Sequence, residues 1–136
     1  MRETNGCLTP IDLMDVLGGI TVHGVYKALK THNVDVIASS SRRKKITPLG
    51  VRQLLEEKGF RYPQENISFQ IVKGGVGKTS LSYALGLRAS HYGAKVLLID
   101  LDQQGNLTRS FKIEARDFPV WLNIFRDNVP VEQAVI

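Results

Sequence analysis

Apolar residues near the start of the chain recur at helical spacing. Ile11, Leu13, Met14, Val16 and Leu17 fall mostly on one side of a helix that Pro10 opens and Gly18-Gly19 ends. Thr21 then predicts the N-cap of a second helix, in which Val22, Val25, Tyr26 and Leu29 follow the i, i+3, i+4, i+7 pattern, with Gly24 weakening it. Residues 34–37, Val-Asp-Val-Ile, start a strand. Ser39-Ser40-Ser41 and the basic residues after them form a turn, and Ile46 begins the return strand. Thr47-Pro48 opens a third helix: a capping hydroxyl precedes a proline whose missing N–H does no harm there. Val51, Leu54 and Leu55 supply its buried stripe, and Gly59 marks its C-cap.

Residues 60–66 read as a linker broken by Pro63, after which the period changes. Ile67 to Val72 alternate as a strand, although Ser68 and Gln70 are polar for one covered on both faces. Leu81, Ala84, Leu85 and Arg88 to Ala89 continue as a helix that ends near Gly93. Val96-Leu97-Leu98-Ile99 is wholly apolar, as in a central parallel strand. A right-handed crossover would make this strand parallel to the first. Asp117 and Pro119 open a helix holding Val120, Trp121, Ile124 and Phe125, with Trp121 and Phe125 on its buried face, and Pro130 opens another. The fold class is α/β: a small helical unit over residues 1–62, then the start of a parallel sheet over 63–136.

Composition narrows this little. A hydrophobic fraction of 43% and a charged fraction of 23% exclude wholesale disorder. No stretch approaches the apolar length of a membrane span, and the opening MRETNGCLTP lacks the apolar run of a secretory signal. Cys7, the sole cysteine, has no internal partner, which fits a reducing cytoplasm. His23, His32 and His91 lack the clustering of a metal site. The net charge of +5 matters for where it concentrates. Its densest run is Arg42-Arg43-Lys44-Lys45, which is either a solvated loop or a phosphate-contacting edge.

The chemistry lies between the strand-like run 67–72 and the following helix, in Lys73-Gly74-Gly75-Val76-Gly77-Lys78-Thr79-Ser80. Three glycines free the backbone to fold round an anion with its N–H groups turned inward, and the next helix presents its N-terminus to the same anion. Lys78 is placed to reach the β- and γ-phosphates of a nucleoside triphosphate, and the Thr79 hydroxyl to ligate Mg²⁺. Val72 stands where the strict phosphate-loop pattern has glycine. Asp100 and Asp102, at the end of the second strand, lie where ligands bind in such sheets, so both are candidates for Mg²⁺ or its water ligands.

KGGVGKTS at 73–80 and KVLLIDLDQQGNLT at 95–108 resemble the ParA/MinD family of deviant Walker-type ATPases. The resemblance implies ATP and Mg²⁺ as cofactors. It makes Lys73 the signature lysine that reaches a dimer partner's nucleotide, Lys78 the phosphate-loop lysine, Thr79 the Mg²⁺ ligand and Asp102 the switch aspartate associated with hydrolysis. Gln103 stands where the family has proline, and Val72 where its branches have glutamine or glycine. The N-terminal unit resembles the MerR-type winged helix-turn-helix carried by some ParA-like proteins. Residues 13–18 then match its first helix and Thr21 to Lys30, with Lys27 and Lys30, the recognition helix. Arg42 to Lys45 match a wing on DNA phosphates.

By this resemblance the protein is a cytoplasmic, nucleoid-associated bacterial partition ATPase that dimerises on ATP, binds DNA and answers to a ParB-like centromere-binding protein, with no membrane role. The family needs a further acidic strand and more sheet than is visible after Asp102, so the chain reads as an N-terminal fragment from a truncated gene, a frameshift or an engineered truncation. Three rivals stay open: a fragment that binds nucleotide or DNA without turnover, a DNA-binding regulator with a vestigial loop, and a MinD-like or nitrogenase-reductase-like ATPase.

Overall fold

Local capping chemistry sets most element boundaries in the structure, a computed structural model that describes residues 6–38, 44–70, 73–114 and 119–135. The chain divides into two compact units, Met1–Ser68 with Gly86–Val96, and Phe69–Leu85 with Leu97–Ile136.

In the first unit, helix α1 spans Val22–Thr31, and the Thr21 hydroxyl accepts from the Gly24 N–H at 3.2 Å. It ends with Asn33 in the left-handed region, Val34 N–H donating to the Leu29 carbonyl and Asn33 N–H to that of Lys30. Strands β1 (Val36–Ala38) and β2 (Lys44–Ile46) pair antiparallel, with Val36 opposite Ile46 and Ala38 opposite Lys44. Leu8 bridges to Ile46 through two backbone hydrogen bonds of 2.9 and 2.8 Å. Helix α2 (Pro48–Glu57) starts as its sequence predicts, the Thr47 hydroxyl accepting from Gly50 N–H. Gly59, just beyond it, is left-handed.

The core of this unit gathers Leu8, Leu13, Val25, Ala28, Leu29, Val34, Ile46, Val51, Leu54 and Leu55. The helix expected after Pro10 is instead a run of turns over residues 10–18. Its bonds mix i→i−3 steps (Asp12 to Thr9, Met14 to Ile11) with a single i→i−4 step (Leu17 to Leu13), so no α-ladder propagates. The Asp12 carboxylate accepts from both the N–H and the hydroxyl of Thr9 at 2.7 Å and closes the first of these turns. Those two bonds hold its pKa below the ordinary carboxylate value. Leu13 is buried, whereas Ile11 and Val16 are exposed.

Helix α3 (Lys78–His91) runs from the second unit into the first. Its last turn closes on left-handed Gly93, with Ala94 N–H donating to the Ala89 carbonyl. Arg52 Nη1 donates to the Gly93 carbonyl at 3.1 Å and the Tyr62 hydroxyl to that of Tyr92 at 2.6 Å. Burial pushes the Tyr62 phenol above its ordinary pKa. The expected linker 60–66 is thus irregular in backbone but anchored by Tyr62.

In the second unit the glycine-rich turn precedes α3, and helices α4 (Asn106–Ser110) and α5 (Trp121–Arg126) and a 3₁₀ turn (Val131–Ala134) follow. Pro130 opens that turn as its N-cap. The parallel sheet expected of this region is not formed among the described residues, whose one sheet is the β1–β2 hairpin. Residues 67–70 and 96–99 are irregular, and residues 71 and 72 lie outside the description. A parallel strand draws its stability from neighbours on both edges and cover on both faces. Leu97 is 66% exposed and Ile99 51%, so neither condition is met. Trp121 and Phe125 also depart from expectation: both are exposed, packed edge-to-face on each other at 5.2 Å. Asp117 lies outside the described residues. Among the described residues no helix is long and apolar enough to cross a membrane.

Candidate functional site

The glycine-rich segment forms an exposed turn over residues 73–77 that runs directly into α3. Gly75 (φ +73°) and Gly77 (φ +86°) occupy the left-handed region, where a side chain would be strained. An added Cβ at Gly74, Gly75 or Gly77 would meet no atom of the described residues within 4 Å, so the space beside each of these glycines is open. Helical bonding starts with Leu81 N–H donating to the Gly77 carbonyl at 2.8 Å. The N–H groups of Lys78, Thr79 and Ser80 therefore precede the first intrahelical bond and are available to an anion.

Lys78 is the first residue of α3, and its Nζ lies 3.4 Å from the Lys73 carbonyl, folded back across the turn. Lys73 and Val76 are exposed, while Thr79 is half-buried. Among the described residues nothing hydrogen-bonds the Thr79 hydroxyl, whereas Ser82 Oγ is committed to the Lys78 carbonyl at 2.9 Å.

The two aspartates have different surroundings. Asp100 accepts from Asp102 N–H on Oδ1 at 3.2 Å, and from both the N–H and the hydroxyl of Thr108 on Oδ2 at 3.0 Å. Helix α4 begins after Gly105, which has φ +60° and no side chain to cap it. The Asp100 carboxylate supplies that cap from eight residues away. Asp102 accepts from Gln104 N–H on Oδ1 at 3.0 Å, which leaves its other oxygen uncommitted among the described residues. No hydrogen bond or ion pair among the described residues joins either carboxylate to the turn at 73–77. Thr108 escaped the sequence reading, although Gly105 followed by Asn-Leu-Thr signals a helix in need of an outside cap.

The donors suit Mg²⁺ with a polyphosphate. A hard cation takes oxygen ligands, and the Thr79 hydroxyl and the free Asp102 oxygen are of that kind. Asp100, with both oxygens engaged, is better placed to hold its turn than to ligate directly.

Of the basic residues expected to contact DNA, Lys27 and Lys30 are exposed on α1, Lys44 is exposed on β2 and Lys45 is half-buried beside it. Arg42 and Arg43 lie outside the described residues. Lys44 Nζ stands 5.5 Å from the centre of the Tyr26 ring, a contact the sequence pattern does not announce.

Comparison with known proteins agrees with the loop. Residues 64–136 match the family described as AAA domain. The cell division protein PomZ of Myxococcus xanthus is 39% identical over 85 residues, covering 60% of this chain and 27% of its own length. The sporulation initiation inhibitor protein Soj of Bacillus subtilis is 51% identical over 45 residues, covering 33% of this chain and 18% of its own length. A virulence plasmid ParA family protein of Chlamydia psittaci is 35% identical over 72 residues, covering 52% of this chain and 28% of its own length. The chain thus spans between 18% and 28% of the length of these relatives. No solved structure matches. With a glycine-rich turn running into α3 and a family match over more than half its length, the chain belongs to the AAA domain family.

Proposed function

We propose that this chain carries the nucleotide-binding end of a ParA-like, DNA-binding partition ATPase. The observation that supports it most is the open turn Lys73–Gly77 leading into α3, with Lys78 and Thr79 at the helix start. Residues 74–80 cradle the phosphates through backbone N–H groups, and Lys78 leaves the Lys73 carbonyl to meet the β- and γ-phosphates. Lys73, exposed at the mouth of the turn, reaches the nucleotide of a second copy. Thr79 with Asp102, and Asp100 behind it, hold Mg²⁺, which supplies charge neutralisation at the phosphates. Asp102 orients water while Asp100 and Thr108 fix the backbone on which it sits. Catalysis in this reading is positioning and charge stabilisation by Lys73 and Lys78.

Residues 1–62 form the DNA-binding unit in this reading, a winged helix-turn-helix with α1 as recognition helix and the β1–β2 hairpin as wing. Lys27, Lys30, Arg42, Arg43, Lys44 and Lys45 meet the DNA. Residues 63–136 contribute the first part of the ATPase domain, and the exposed run Val96–Ile99 becomes a strand where further sheet is present to cover it. The whole protein dimerises on ATP in the cytoplasm, at the nucleoid, and answers to a ParB-like partner.

Calorimetric titration with MgATP is expected to give one site per chain, and AMP to give none, because it lacks the phosphates the turn holds. No MgATP binding at millimolar nucleotide overturns the nucleotide assignment. For DNA, neutralising Arg42, Arg43, Lys44 and Lys45 together should flatten the slope of log affinity against log salt by up to about 3.6, at roughly 0.9 per phosphate contact. An unaltered slope removes the hairpin from the interface.

A further inference from the structure

Helix α1 turns a basic stripe to solvent. His23, Lys27 and Lys30 stand at i, i+4 and i+7, all exposed, and the helix holds no acidic residue. Val25, Ala28 and Leu29 occupy the opposite, buried side. Tyr26 lies between the two, half-buried.

Strand β2 explains how a hairpin lysine arrives at this helix. Side chains two apart on a strand share a face. Ile46 points into the core, fully buried, so Lys44 takes the same side of the hairpin and Lys45 the other. The Lys44 ammonium stands 5.5 Å from the centre of the Tyr26 ring, within cation–π range. A free surface lysine loses rotamer freedom when it meets a phosphate. One already held on an aromatic ring beside a basic helix loses less.

We infer that Tyr26 is a positioning residue: its ring holds Lys44 beside Lys27 and Lys30 of α1, so that helix and hairpin meet one DNA duplex as a single cationic face. This rests on the DNA-binding reading above and assigns it a residue that touches no DNA itself. Charge complementarity selects the partner, since a face of cations without an acid on the helix suits a phosphate backbone.

The test is a double-mutant cycle on the full chain, with a duplex DNA titrated across a salt series. Lys44→Ala is expected to reduce the salt slope by about 0.9, so that between about 50 and 200 mM salt it loses roughly 3.5-fold less affinity than wild type. Tyr26→Leu should weaken binding about two- to fivefold and move the slope toward that of Lys44→Ala, while Tyr26→Phe, which keeps the ring, should bind as wild type does. On the Lys44→Ala background Tyr26→Leu should cost nothing further. Circular dichroism checks the fold, and Tyr26→Met replaces Tyr26→Leu should the latter unfold.

Equal losses from Tyr26→Leu with and without Lys44, or failure of Tyr26→Phe to retain affinity, overturn the positioning role and leave the DNA-binding reading standing. Absence of duplex binding by the wild type overturns both. Vesicles of phosphatidylserine and phosphatidylcholine form the control arm. A Tyr26→Leu effect on vesicles and none on duplex gives the face to a membrane and overturns the proposal.

Discussion

Replacing Lys78 with alanine should abolish measurable MgATP binding while leaving the fold intact. Lys78 is the first residue of α3, and its side chain's one hydrogen bond among the described residues is the 3.4 Å contact to the Lys73 carbonyl. That bond is long and solvent-accessible, so its loss costs the free chain little. In the nucleotide complex the same ammonium would face a triphosphate across a turn whose other donors are backbone N–H groups, uncharged and fixed. Removing it leaves phosphate charge without a side-chain counter-ion from the loop. Truncating one member of such a pair costs about 2–4 kcal/mol, or roughly 30- to 1,000-fold in affinity. Calorimetry with MgATP measures this directly, and unchanged circular dichroism separates it from unfolding. Unchanged affinity would show that the turn at 73–77 does not hold the phosphates.

What could be read from the sequence follows the range of the interactions involved. The starts of α1 and α2 and the turn after α2 were legible, because Thr21, Thr47-Pro48 and Gly59 act on backbone groups within four residues of themselves. The phosphate loop was legible for the same reason: its glycines answer to local φ, and Gly75 and Gly77 are left-handed. In place of the helix after Pro10 stand turns that mix i→i−3 and i→i−4 bonds, a difference that apolar periodicity does not register. Strands at 67–72 and 96–99 were expected from apolar pattern alone, yet a strand exists only where another pairs with it. Trp121 and Phe125 show the same limit, since helical spacing marks a face fit for burial and says nothing of what covers it. At the site, the Asp100–Thr108 contact spans eight residues and depends on the turn between them, beyond what spacing can reveal.

Gly93→Ala should be the most destabilising single-methyl change in the first unit, and its cost has two separable parts. Gly93 closes α3 at φ +83°, where an L-residue pays about 1–2 kcal/mol in backbone strain. The second part is contact: a Cβ there would stand 2.6 Å from Arg52 Cβ, 2.6 Å from the Pro48 carbonyl oxygen and 2.8 Å from Arg52 N. None of these is the free end of a flexible side chain, so the first turn of α2 or the end of α3 must shift. A shift there also disturbs the Arg52 bond to the Gly93 carbonyl and the Tyr62 bond to the Tyr92 carbonyl. Overpacking of this kind adds about 1–3 kcal/mol, for a total near 2–5 kcal/mol. Gly59 provides the control, because it is left-handed at φ +87° but an added Cβ meets nothing within 4 Å. Gly59→Ala should therefore cost only the strain, about 1–2 kcal/mol. In urea unfolding followed by circular dichroism, the difference between the two variants isolates the contact of α3 with α2. Equal losses would mean that Gly93 is required for its backbone conformation alone and that α3 does not lean on α2 at this point.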